Sequence, residues 1–395
     1  MGEMISVATA RQLVLEHAVR LSSVTICLRE ALGKVLADDI YAEADVPAFA
    51  QSAMDGYAFS FDDWQKGRPL TINGVMAAGA AEDKNVTKGG AVRIFTGAPV
   101  PSGVNTVVMQ EKARVVSGEL FIEDGGLTMG SNVRPAGSEI RKGELALKAG
   151  TQLIPGAIGF LAGMGISQVK VYPDPLITII ITGDELQEPG KALAYGQVYE
   201  SNSYTLSAAL QQVGLAPAQV YRVKDHQGDL TDVMSEALAQ SDILLLTGGV
   251  SVGDYDFVAK AAEACGVHTI FHKIKQRPGK PLFFGKRKQA MVFGLPGNPS
   301  SVLTCFYMYV LPALGELTKR TLSLRTLQVA LINNFTKHHS LTHFLKGWFD
   351  GVRVQVLDAQ ESYRLSSFAH ANCLVELGVE ARMYEEGEAV IVHLL

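Results

Sequence analysis

Cysteine is scarce: Cys27, Cys265, Cys305 and Cys373 are the only four in 395 residues, and no two stand as a Cys-x-x-Cys pair. That spacing argues against a zinc site and a disulfide framework, and reads as reduced thiols in a cytoplasmic protein. Long apolar runs are missing too. The longest, Val302 to Leu311, is too short to cross a bilayer, and Glu3 and Glu16 stand where an export signal carries basic residues, so no membrane association is expected. Nor does one sign of charge dominate. A formal charge of -5 and a pI near 6.0 exclude a general nucleic-acid or membrane-surface binder, which needs a net basic face. Any anion must therefore be held by a local site.

What is present is a chain with 47% hydrophobic side chains, too long for one core, so two or more domains of a soluble globular protein are expected. Ser6 to Leu21 reads as a helix capped by Ser6 or Thr9, and Leu28 to Leu32 as a second short one ending at Gly33. From Val46 to about Gly137 short β-type runs (Leu70 to Val75, Ala91 to Phe95, Thr106 to Met109) alternate with Gly, Pro, Asn and Asp, as in a separate small β domain. Ile158 to Met164 reads as a helix, and Tyr172-Pro173-Asp174-Pro175 as a stiff junction. Beyond it strands at 176–182, 218–223, 243–247, 267–271, 281–284 and 290–293 alternate with helices at 204–213, 230–239, 257–265 and from about Asn298. Such alternation predicts a largely parallel sheet covered on both faces. Runs at 327–332, 351–356 and 389–394 predict a small C-terminal β domain.

Ligands of open α/β sheets sit outside the carboxyl ends of the strands. The first strand runs into Thr182-Gly183-Asp184-Glu185-Leu186 and a connection of some twenty residues, which reads equally as a functional loop or a flexible surface loop with solvated acids. The third ends in Thr247-Gly248-Gly249-Val250-Ser251-Val252-Gly253-Asp254. Glycines that turn backbone N–H groups toward a ligand, ahead of a helix N-terminus, suit a phosphate. The pattern is neither a Rossmann nor a Walker loop. Asp225 and Asp256 read as ligand-side carboxylates suited to Mg²⁺ beside phosphate, while Asp254 stays open, since an acid there also suits a helix N-cap. Between Ala264 and Gly315 there is no Asp or Glu but seven Lys and Arg. Of these, Lys273, Arg277 and Lys280 fit an anion site around the rigid Arg277-Pro278-Gly279-Lys280-Pro281 turn, and Lys286 to Lys288 read as a solvated hairpin tip. Gly294-Leu295-Pro296-Gly297-Asn298-Pro299 forms a second rigid turn, which a helix start with Asn298 as N-cap and Pro299 in the first turn also explains. In the N-terminal half, Ser52 to Ala58 and Ile94 to Pro99 are rich in small residues, and Asp55-Gly56 reads first as a hairpin turn.

Taken in order, Ser52 to Ala58, Phe95 to Pro99, Thr182 to Leu186, Gly248 to Gly253, Pro278 to Pro281 and Leu295 to Pro299 resemble the MoeA family, the molybdopterin molybdenumtransferases that include the C-terminal part of gephyrin. The resemblance spans nearly the whole chain. It implies a multidomain α/β plus β fold: an N-terminal linker and dimerisation domain (1–45 with 138–172), an inserted β domain (46–137), a central three-layer, MogA-like α/β molybdopterin-binding domain (173–316) and a small C-terminal β domain (317–395). It also implies a homodimer, with a molybdopterin adenylyltransferase and a downstream molybdoenzyme or chaperone as partners. The implied reaction inserts molybdate into adenylylated molybdopterin, with Mg²⁺ assisting release of AMP. Asp225 and Asp256 would hold the metal and Glu185 would position it or a water. Gly248, Gly249 and Ser251 would receive the terminal phosphate. Lys273, Arg277 and Lys280 would offset anionic charge, and Pro296 and Pro299 would shape the wall. Asp55 and Thr96 become site residues reaching in from the other subunit.

Three departures stand out. Arg277 replaces a lysine of several relatives, trading a point donor for a fork. The Arg-x-x-Phe-x-Arg pattern that relatives carry near molybdate is Leu341, Phe344 and Lys346 here, and Glu361-Ser362 stands where Gly-Ser is common. The rival readings are a molybdopterin adenylyltransferase, which lacks the flanking domains, and a non-catalytic gephyrin-like dimeric scaffold, against which the retained Asp55, Glu185, Asp225 and Asp256 argue.

Overall fold

A computed structural model describes residues 4–249 and 257–395. The chain opens on α1 (Val7–His17), started by the Ser6 side chain, which accepts from the Thr9 N–H at 3.0 Å. The second helix expected from sequence, Leu28 to Leu32, is only a 3₁₀ turn, Leu28–Glu30. The chain folds into two compact units. One comprises residues 25–32 and 36–170; the other comprises 1–24, 33–35 and 171–395.

The first unit is built on a six-stranded sheet of β1 (Gly56–Phe59), β2 (Leu70–Met76), β3 (Gly90–Ile94), β4 (Thr106–Met109), β5 (Ala113–Val116) and β6 (Glu119–Ile122), in the order β4-β1-β3-β2-β6-β5. Alternating side chains feed two cores: Ala58, Met76, Val92 and Val107 on one face, Phe59, Leu70, Ala91 and Val108 on the other. The same unit holds α2 (Pro155–Gly163).

The second unit carries a six-stranded sheet of β7 (Ile177–Thr182), β8 (Gln219–Val223), β9 (Ile243–Thr247), β10 (His268–His272), β12 (Phe283–Arg287) and β13 (Ala290–Leu295); β11 (Gln276–Arg277) belongs elsewhere. Its order is β8-β7-β9-β13-β12-β10. The first four are parallel, β12 is antiparallel to β13, and β10 is antiparallel to β12, so β10 runs with the parallel set. Near-continuous apolar strands such as Ile177–Thr182 mean burial on both faces. Ile177, Ile179 and Ile181 pack with Leu206 and Leu210 of α3 (Asn202–Gln212), with α1 and with the long α6 (Pro299–Thr318). Ile180, Leu244 and Leu246 pack with Leu230 and Met234 of α4 (Gln227–Gln240) and with Val258 and Ala261 of α5 (Phe257–Ala264). This is the three-layer α/β domain the alternation predicted.

The helical stretch α6 is longer than its apolar run. Its 20 residues are long and apolar enough to cross a bilayer, yet 83% of its most apolar window is buried inside the fold, as in a core helix. One wide π turn, Phe306–Val310, interrupts it, with all five residues buried.

C-terminal strands β14 (Arg325–Leu331), β15 (Thr342–Phe349), β16 (Arg353–Val356), β17 (Cys373–Leu377) and β18 (Ala389–Leu394) run in the order β15-β16-β14-β18-β17, and β17 returns to β15, closing a five-stranded barrel. β11, two residues from the acid-free stretch, adds a parallel pair to β15, Gln276 opposite Thr342 and Arg277 opposite His343. Sequence reading missed β15 and β17. In β15 the first six residues are all buried, His343 and Lys346 included, so the alternation that marks a half-exposed strand is absent.

Candidate functional site

Strand register brings the expected motifs to one edge. Ile181 and Thr182 of β7 lie opposite Thr247 of β9 and Val223 of β8 respectively, and Thr247 lies opposite Leu295 of β13. The residues that follow, Gly183 to Glu185, Asp225, Gly248-Gly249 and Pro296 to Asn298, therefore leave the sheet at the same carboxyl-terminal edge. Because β10 runs with the parallel strands and β12 against them, Lys273 and the Lys280-Pro281 turn also emerge there.

A cleft of about 550 Å³ opens at this edge. Glu185, Gly248, Pro296 and Pro299 line it, as do Thr182, Asn202 and, from the C-terminal segment, Tyr363. Asp225, Lys273, Arg277 and Lys280 are not among its walls; Asp225 and Lys273 follow strands that end at this edge, and the exposed Arg277 and Lys280 lie on the connection between β10 and β12. Ser251 and Asp256 lie outside the described residues.

Local geometry explains the glycines. Gly248 has φ +87°, and a Cβ there would sit 2.1 Å from the Thr182 carbonyl oxygen, so no other residue fits between β7 and β9. Gly56 is not a turn residue. It opens β1, and a Cβ would stand 1.9 Å from the Val108 carbonyl oxygen of β4, so close strand approach rather than a hairpin accounts for it. Asp55, just before it, accepts from the Thr96 backbone N–H and the Thr96 hydroxyl, both at 2.7 Å on one carboxylate oxygen. Those two bonds, the backbone one first, hold its carboxyl below the usual range, with Arg93 adding to the effect. The pair expected from the resemblance is thus one bonded unit.

Among the described residues, three polar atoms at the sheet edge are buried without a partner: Thr182 Oγ1, Asn202 Oδ1 and Asp225 Oδ1. Buried polar groups are ordinarily paired, so a bound water, ion or ligand would complete the bonding of these atoms. Asn202 escaped sequence reading because α3 begins there rather than at Tyr204. Its Nδ2 donates to Thr247 Oγ1 and to the Gly297 carbonyl, both at 2.9 Å, tying the ends of β9 and β13 to the start of α3. Its neighbour Glu200 accepts from the Ser203 N–H at 2.8 Å. A Glu-Ser-Asn-Ser run before an apolar-periodic helix was the available signal. Asn298 stands at the N-cap of α6 but does not cap it with its side chain; Nδ2 donates instead to Ser362 Oγ at 2.9 Å.

Three lysines are committed to structure. Lys286 is not part of a solvated tip: it lies in β12, is partly buried, and donates to the His17 carbonyl at 3.0 Å. Burial lowers its pKa. Lys346, 2% exposed, donates to the carbonyls of Ala359, Glu361 and Arg364, and burial pulls its pKa down to about 8. Lys337, equally buried, donates to the carbonyls of His339, Val379 and Glu380. The remaining cation of the departed Arg-x-x-Phe-x-Arg pattern thus secures a loop.

Comparison with known proteins decides the family. The MoeA N-terminal region (domains I and II) matches residues 5–165, a probable molybdopterin-binding domain matches 178–316, and the MoeA C-terminal region (domain IV) matches 328–395. A molybdopterin molybdenumtransferase of Haemophilus influenzae is 34% identical over 385 residues, covering 93% of this chain and 94% of its own. This chain belongs to the MoeA family. A Staphylococcus aureus molybdopterin molybdenumtransferase is 31% identical across 99% of this chain and 95% of its own. The crystal structure of a MoeA molybdopterin biosynthesis protein from Pyrococcus horikosii superposes with a TM-score of 0.83 at 29% identity, covering 99% of both chains. The MoeA matches flank the α/β domain on both sides, so the architecture is that of the whole family and not of the α/β module alone.

Proposed function

We propose that this chain, a transferase of molybdenum cofactor biosynthesis, inserts molybdate into adenylylated molybdopterin and releases AMP. The observation that carries the reading is the shared strand edge of a MoeA-family chain, where Gly248, Glu185, Pro296 and Pro299 line a cleft of about 550 Å³ and the segments bearing Asp225, Lys273 and Lys280 leave the same sheet beside it. The MoeA matches at 5–165 and 328–395 favour insertion over adenylyl transfer.

In this reading Gly248, Gly249 and Ser251 receive the terminal phosphate through backbone N–H groups and a hydroxyl. Lys273, Arg277 and Lys280 offset the charge of phosphate and molybdate. Pro296 and Pro299 form a rigid wall, and Glu185 orients a water. Asp225 Oδ1, buried and without a partner among the described residues, has the chemistry of a hard-cation ligand, and with Asp256 it would hold Mg²⁺, which when bound neutralises charge on the phosphate anhydride. Asp55, held by Thr96, enters the site from the second subunit of a homodimer. The four separate thiols fit a cytoplasmic enzyme.

Incubation of the purified chain with adenylylated molybdopterin, Mg²⁺ and molybdate tests the reaction: molybdate-dependent AMP release is expected, and its absence in the wild type overturns the reading. For the dimer, Asp55→Ala and Glu185→Ala chains are each expected to be inactive. Mixed, they regain activity where a site draws on both subunits; no recovery in verified heterodimers removes Asp55 from the partner's site.

A further inference from the structure

The exposed cations Arg277 and Lys280 sit on a turn that is fastened from below by one buried side chain. Gln276 is 0% exposed, immediately precedes Arg277 and bonds the residue immediately after it: its Nε2 donates to the Pro278 carbonyl at 2.7 Å. A carbonyl only accepts, which fixes the orientation of the amide. Its Oε1 then faces the hydroxyl of Tyr309, which donates at 2.5 Å. Tyr309 is also 0% exposed and comes from the π turn of α6. Burial pushes its pKa well up, so the hydroxyl keeps the proton it donates.

Packing around the pair leaves little freedom. Gly279, at φ +98°, presses on it so closely that a Cβ would meet Cys305 Sγ at 2.6 Å and Gln276 Nε2 at 2.7 Å. The Ile274 N–H bonds the Lys280 carbonyl at 2.9 Å, closing the loop over the amide. The chain from α6 to the cations is therefore continuous: Tyr309 hydroxyl, Gln276 amide, Pro278 carbonyl, then Arg277 and Lys280 on either side. Gln276 and Tyr309 are both 0% exposed, so neither side chain is open to solvent at the turn.

We infer that Tyr309 and Gln276 are positioning residues: they set the geometry of the Arg277–Lys280 turn and through it the affinity for the oxyanion substrate, without touching that oxyanion. This rests on the proposed role of the turn in binding molybdate.

Titration calorimetry of the full chain with sodium molybdate, alongside the AMP-release assay, tests it. Tyr309→Phe keeps every carbon and removes one hydrogen bond. It is expected to raise the molybdate Kd and KM about tenfold, the scale of one buried hydrogen bond, while kcat at saturating molybdate stays within about twofold of wild type. Gln276→Met, which loses the bonds to Pro278 and Tyr309 together with the longer one to Cys305 Sγ, is expected to weaken binding further, and adding Tyr309→Phe to it should change little because the two act through one contact. Arg277→Ala separates the two claims. If it leaves molybdate binding unchanged, the role of the turn is wrong. If it weakens binding while Tyr309→Phe lowers only the melting temperature, the positioning inference is overturned. Should Gln276→Met fail to fold, Tyr309→Phe decides alone.

Discussion

The carboxyl-terminal edge of the α/β sheet and the C-terminal barrel both carry cations, and they use them in opposite ways. At the sheet edge Arg277 and Lys280 are exposed, while Thr182, Asn202 and Asp225 each keep one polar atom without a partner among the described residues. In the barrel region Lys337 and Lys346 are each 2% exposed and each surrounded by three carbonyls. A lysine closed in by carbonyls ties loops together; one left on a rigid turn is free for an anion. Counting cations along the sequence cannot separate the two, because the carbonyls that close in on Lys346 come from the loop at 359–364.

The largest effect is expected where the edge is left open. Asp225→Ala should lower molybdate-dependent AMP release on the order of hundredfold, the scale seen when a preorganised charged group leaves an active site, with an unchanged circular-dichroism spectrum. A rate near wild type would place Asp225 among solvated surface acids.

Next comes a pair of substitutions that compares the regions directly. Lys346→Met strands three carbonyls and should cost about 3 kcal/mol of folding stability, at roughly 1 kcal/mol or more for each group left unpaired. Lys280→Ala, on an exposed side chain, should change stability by less than about 0.5 kcal/mol and weaken molybdate binding instead. Urea denaturation with calorimetry reads both. Equal losses of stability would erase the distinction between the regions.

Legibility in the sequence followed the same divide. The α/β unit could be read strand by strand because apolar runs buried on both faces alternate with helices, and the site motifs were visible because glycines at strand ends mark backbone that must approach something closely, as Gly248 does against Thr182. Asp55 and Thr96 carried no local signal. Their pairing joins residues 41 apart, and only the family resemblance promoted them. The barrel was half hidden because β15 buries polar side chains alongside apolar ones. Asn202 was missed through a two-residue error in a helix start, an ordinary uncertainty when the first turn is polar.

A smaller effect distinguishes the barrel's histidines from its lysines. His343, opposite Arg277 in the β11–β15 pair, is 7% exposed, and its Nδ1 is buried without a partner among the described residues. Its ring lies 4.7 Å from that of His339, centroid to centroid. Burial first, then His339, Arg277, Lys337 and Lys346, pushes its pKa down to about 3 from 6.5. Between those two values the unfolded chain binds a proton at this residue and the folded chain does not, so stability is complete above pH 6.5 and falls as the pH drops. His343→Phe removes that term. The variant and wild type should differ little in pH slope above pH 7. Below pH 6.5 the variant should lose about 1 kcal/mol less per pH unit, as measured by urea denaturation at pH 7.5, 6 and 5. Parallel slopes at all three would mean that the barrel opens to protonate His343 before it unfolds, and would make this face, like the sheet edge, one that yields to solvent.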